Sequence, residues 1–135
     1  MIIVVDTNVL VSATYWKGES LKVLRLADEG RIKLVISQEL IEEYNKVINS
    51  DEASEKIEKR RLVAEKAIIK TVNEAILVQP QEKIKLVSED PDDDKVIECA
   101  AGKADFIITQ DKHLLKMKSY KKIMIVTPQE FLREL

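Results

Sequence analysis

Cysteine and histidine each occur only once in the 135 residues, as Cys99 and His113. One cysteine excludes an internal disulfide and any multi-cysteine zinc site. One histidine excludes a three-histidine zinc site and leaves a serine or cysteine hydrolase a single candidate base. Glycine and proline are scarce, at 3 each, and 45% of residues are hydrophobic, which excludes a collagen-like or disordered chain. No apolar run approaches the ~20 residues that span a bilayer. Asp6 follows the opening apolar residues too soon for the core of a secretory signal. Positive charge is not in excess: 22 Lys+Arg against 24 Asp+Glu give a net charge of −2, so the chain is no general polyanion binder. These features predict one domain over residues 1–135, soluble and cytoplasmic, with no membrane partner.

What is present is an alternation of short apolar runs and amphipathic stretches. Ile2–Val5 predicts a buried strand that ends at Asp6-Thr7-Asn8 and turns into a helix. Glu19–Glu29 predicts an amphipathic helix stopped by Gly30, and Lys33–Ile36 a second strand. Ser37 is placed to cap a helix carrying Leu40, Ile41, Tyr44, Val47 and Ile48. Another helix is predicted over Glu52–Asn73, then strands at Ala75–Val78 and Ile84–Val87 on either side of Pro80. The acidic run Glu89–Asp94 stands at a helix entrance, where carboxylates complement the positive end of the helix dipole. A strand over Asp105–Thr109, a short helix from His113, a strand over Lys122–Val126 and a helix opened by Pro128 complete the chain. Strands alternating with helices predict a three-layer α/β sandwich with a mostly parallel central sheet.

In such a sheet, ligands bind outside the carboxyl ends of the strands. Asp6 and Asp111 both follow apolar strand runs, Asp93 stands at a helix start, and Glu42 and Glu43 lie early in the helix after the second strand. Like charges at short range raise each other's pKa, so convergence of these acids calls for a cation. Mg²⁺ and Mn²⁺ take oxygen ligands and suit carboxylates without cysteine. Turns, helix caps and a solvated helix face account for the same acids without any chemistry.

Val5–Ala13 resembles the opening motif of PIN-domain nucleases, the fold of the VapC-type toxins. Ser37–Tyr44 is similar to the family's second segment, Asp90–Ala100 to its third and Ala104–Leu115 to its fourth. In order, and with Thr127–Leu132, they cover nearly the whole chain. The resemblance implies Asp6, Glu43, Asp93 and Asp111 as catalytic, metal-holding acids. Glu43 is preferred to Glu42 because the family's Glu directly precedes an apolar helix position, here Tyr44. Asp93 is preferred among its acidic neighbours because its separation from Asp111 matches the family pattern. Asn8, Asp90 and Thr109 are implied as supporting residues. Gly102-Lys103 departs from the family, in which two glycines are common, but touches none of the acids. The resemblance further implies a Mg²⁺- or Mn²⁺-dependent ribonuclease using metal-activated water, the toxin of a toxin–antitoxin pair, with RNA as substrate, a cognate antitoxin as partner and a homodimer as the working form.

Two rivals differ in class. One is a non-cleaving PIN-like module that binds RNA or protein. The other is a receiver-type phosphoacceptor, which needs paired acids after the first strand, where only Asp6 stands. Of the remaining residues, Cys99 is expected on an apolar helix face, and His113 as a surface residue at a helix start. Tyr15 and Trp16 are suited to a dimer surface or to stacking RNA bases, and equally to anchoring their loop against the core. Lys112, Lys116, Lys118, Lys121 and Lys122 form a basic stretch beside Asp111 suited to steering phosphate.

Overall fold

A computed structural model of the chain describes residues 1–15, 18–50, 62–81, 83 and 91–135. Trp16, Asp90, the expected strand at Ile84–Val87 and the first half of the Glu52–Asn73 helix lie outside the described residues.

The chain opens with β1 (Ile2–Val5), whose Ile3, Val4 and Val5 are almost completely buried. Asp6 then turns it into α1 (Thr7–Tyr15): its carbonyl accepts from the Val9 and Leu10 amides at 2.9 and 3.0 Å. α2 (Glu19–Asp28) ends on Glu29, with Gly30 at φ 76 beyond it. Gly30 N–H donates to the Ala27 carbonyl at 3.1 Å and Arg31 N–H to that of Leu26 at 2.9 Å, the paired bonds that close a helix through a left-handed glycine. β2 (Lys33–Ser37) runs directly into α3 (Gln38–Ile48), which Ser37 caps by accepting from the Leu40 amide at 3.3 Å.

α4 (Leu62–Asn73) and the edge strand β3 (Ile76–Val78) follow, and then α5 (Pro91–Ala100). The acidic run expected before a helix thus continues into it, with Asp92, Asp93 and Asp94 in the first turn. β4 (Phe106–Ile108), α6 (Lys112–Met117), β5 (Ser119–Tyr120), β6 (Ile123–Val126) and α7 (Pro128–Arg133) complete the order. β5 was not anticipated from the sequence. It is a two-residue strand antiparallel to β6, flanked by Lys118 and Lys121 at φ 61 and φ 53.

The six strands among the described residues lie in the order β3-β2-β1-β4-β6-β5, and every pairing except β5–β6 is parallel. The helices flank this sheet: α5 lies along β1, β2 and β4, while α1 packs with α2, α3 and α4. The fold is the three-layer α/β sandwich that the alternation predicts. Its core is apolar and continuous, with Leu10, Leu24, Leu40, Ile97, Ile107, Leu114 and Phe131 fully buried. Each such side chain contributes about 1.5–3 kcal/mol by leaving water.

Two polar contacts tie the helices to one another. Thr14 Oγ1 donates to the Leu10 carbonyl at 2.8 Å, so its oxygen receives the proton of the Tyr44 hydroxyl 2.7 Å away. Burial pushes the Tyr44 phenol up to about 12. Tyr15 takes the core-anchoring alternative: it is half-buried, with its hydroxyl donating to the Ile48 carbonyl at 3.3 Å. It therefore packs against its own chain rather than standing exposed.

Candidate functional site

After β1 the chain builds outward through β2 and β3, then returns to the other side of β1 for β4. A crevice opens at such a reversal of strand order. Val5 and Ile108 are register partners across β1 and β4, and the ladder continues through the Asp6 amide, which donates to the Ile108 carbonyl at 2.9 Å. Asp6 and Thr109, the first residues beyond each strand, therefore lie side by side.

Thr109 is fully buried and links two acids. Its hydroxyl donates to Asp6 Oδ2 at 2.8 Å, and its oxygen accepts the Asp111 amide at 3.0 Å. Asp6 is itself buried, and this burial pushes its carboxyl above the ordinary 3.8. The Thr109 bond opposes the rise, the charge of Asp111 adds to it, and the Thr7 and Asn8 backbone amides oppose it further. Asn8 thus acts on Asp6 through its backbone, while its side chain is exposed and makes no hydrogen bond among the described residues. Next to Asp6, the Thr7 hydroxyl is buried and has no hydrogen-bond partner among the described residues.

Asp111 caps α6, with Oδ1 accepting from the His113 amide at 2.7 Å and the Leu114 amide at 3.4 Å. The cap fixes where the His113 side chain leaves the backbone. His113 Nδ1 lies 3.7 Å from Asp111 Oδ1 and 4.0 Å from Asp93 Oδ2. Asp93 is 4% exposed, in the first turn of α5. Among the described residues, Asp93, Asp111 and His113 are one group whose donor atoms all lie within 4.8 Å of one another.

Asp6 adjoins this group through Thr109 and Asp111 without belonging to it. Glu43 is half-buried on α3, which packs against α5, and it too stands outside the group of three. Its neighbour Glu42 is exposed and accepts from Gln38 Nε2 at 2.8 Å on the outer face. His113 is the member that sequence reasoning set aside. The available signal was its position two residues after Asp111, within reach of a helix cap.

The donor set suits a hard divalent cation. It consists of carboxylates around one imidazole nitrogen, and among the described residues no Lys or Arg forms an ion pair with Asp6 or Asp111. Cys99 takes no part: it is fully buried, and burial pushes its thiol up to about 11. The expected basic stretch is on the surface, with Lys112, Lys116, Lys118, Lys121 and Lys122 all exposed around α6 and the β5–β6 turn. No described helix is long and apolar enough to cross a membrane.

No curated protein and no solved structure matches the chain. A family model described as PIN domain matches residues 2–113, from β1 to the start of α6. That span holds Asp6, Asp93 and Asp111, and the chain belongs to the PIN-domain family of nucleases.

Proposed function

We propose that residues 1–135 act as one Mg²⁺- or Mn²⁺-dependent ribonuclease domain, the VapC-like toxin of a toxin–antitoxin pair, working in the cytoplasm. The observation that carries the reading is the Thr109 bridge, which joins Asp6 to Asp111 beside Asp93 at the point where strand order reverses. Asp6, Asp93 and Asp111 would hold the cation, with Glu43 completing the acidic set from α3. The bound ion supplies positive charge for the phosphodiester and lowers the pKa of water. Thr109 orients the Asp6 carboxylate and favours its ionised form, the form able to take a metal. The exposed lysines from Lys112 to Lys122 supply the positive field that a chain of net charge −2 needs for attracting a phosphate backbone. Asp90 remains a supporting candidate on sequence grounds alone.

The toxin role, the cognate antitoxin and the homodimer rest on the family resemblance. Light scattering tests the homodimer: the expected mass is twice 15.4 kDa, and a monomer at micromolar concentration contradicts it. The central experiment incubates purified protein with single-stranded RNA and Mn²⁺ or Mg²⁺. Cleavage leaving 5′-phosphate ends, stopped by EDTA and by Asp6→Asn, is the expected result. RNA bound but left intact would favour the non-cleaving module instead.

A further inference from the structure

We propose that His113 is itself a metal ligand through Nδ1, and that this nitrogen makes the site favour Mn²⁺ over Mg²⁺. The proposal rests on the reading that a divalent cation binds among these acids, and goes beyond it in ligand identity and metal choice.

Three observations carry it. The first is direction: Nδ1 approaches carboxylates from two separate elements, 3.7 Å from Asp111 on one side and 4.0 Å from Asp93 on the other. Neighbouring ligand atoms around one octahedral ion lie about 3 Å apart, given bonds of ~2.1 Å. The three donors are therefore within about an ångström of a shared shell. The second is restraint. The Asp111 cap holds the His113 amide at 2.7 Å, so the histidine is anchored by one of the acids it faces. The third is cost. The His113 side chain is 42% exposed, so it can turn Nδ1 onto an ion without leaving a buried place.

The chemical consequence is selectivity. Mg²⁺ favours an all-oxygen shell and sheds water reluctantly. Mn²⁺ also favours oxygen and stands lowest in the first-row series, but it accepts an imidazole nitrogen more readily than Mg²⁺ does. A neutral imidazole among carboxylates also adds a donor without adding repulsion between like charges. The donor reads as a tuning element: the acids supply the charge, and His113 decides which cation profits most from it.

His113 is the sole histidine of the chain, so any imidazole signal from a bound metal comes from it. The test is pulsed EPR of the whole protein loaded with one equivalent of Mn²⁺, combined with calorimetric titration of Mn²⁺ and Mg²⁺ into wild type and His113→Gln. The expected result is imidazole ¹⁴N modulation on the bound Mn²⁺, lost in His113→Gln, with Mn²⁺ affinity reduced roughly 10-fold or more and Mg²⁺ affinity reduced less. Bound Mn²⁺ without nitrogen modulation, or equal losses for the two metals, overturns the proposal and leaves the metallonuclease reading standing. Failure of the wild type to bind Mn²⁺ at all overturns both.

Discussion

Thr109 donates its hydroxyl proton to Asp6 Oδ2 at 2.8 Å across 103 positions of sequence. Because the same oxygen accepts the Asp111 amide, a single side chain sets the spacing of two site acids. Thr109→Val removes both bonds from a buried place, with an expected loss of about 1–3 kcal/mol in stability. Thr109→Ser keeps both bonds and gives up one methyl group, costing about 1 kcal/mol. Urea unfolding separates the two. Little loss in Thr109→Val beside a larger one in Thr109→Ser would assign the role of Thr109 to packing.

Asp6 makes the metal-free protein less stable as pH rises. Its folded carboxyl sits above the ordinary 3.8, chiefly through burial, so the folded state binds its proton more tightly than the unfolded state does. The cost of ionisation is absent below 3.8, grows as pH rises through the folded value and is complete above it. In EDTA at pH 7, Asp6→Asn is therefore expected to unfold at higher denaturant concentration than wild type. The advantage should vanish on acidification toward 3.8. An Asp6→Asn protein less stable than wild type at neutral pH would contradict this account.

Two adjacent glutamates should respond in opposite ways. Glu43→Gln is expected to lower cleavage by roughly 10-fold or more, the scale seen when support of a metal site is lost. Glu42→Gln removes a charge from an exposed face where only Gln38 is engaged, and should leave cleavage within about twofold. Comparable losses in both would contradict Glu43 as the family's Glu.

Thr7 offers a gain in stability. Its buried hydroxyl has no partner among the described residues, so Thr7→Val exchanges an unsatisfied polar atom for a methyl of similar shape. The expected change is a stabilisation of about 1 kcal/mol, read as a higher denaturation midpoint at unchanged slope. A net loss would show that the hydroxyl is satisfied in solution.

Much of this arrangement was legible in the sequence, for identifiable reasons. β1 and β4 are central strands covered on both faces, so they read as unbroken apolar runs, and Asp6 and Thr109 mark their ends. Ser37 and Pro128 follow local capping chemistry, which a single sequence displays directly. β5 was missed because two residues carry no periodicity, and its pairing depends on the unusual backbone at Lys118 and Lys121. The place of Tyr15 stays open between surface and core in the sequence because the carbonyl it reaches, that of Ile48, is 33 residues away. The nearness of His113 to Asp93 is not legible in the sequence, because only the packing of α5 on the sheet brings the two together. Glu42 and Glu43 differ by one helical step, and beside the buried Tyr44 the first is exposed and the second half-buried.

The reversal of strand order also has a temporal consequence. β4 occupies the slot between β1 and β6, so the partners of Asp6 come from the far end of the chain. A polypeptide interrupted before Thr109 already carries Asp6 and Asp93, yet lacks the hydroxyl that orients the first acid and lacks Asp111 altogether. Closing so long a loop is entropically the costliest pairing of the sheet. During synthesis the acidic centre therefore stays in pieces while most of the chain is being made. An unfinished copy lacks the joined acids, and the proposed site is assembled only when the fourth strand docks.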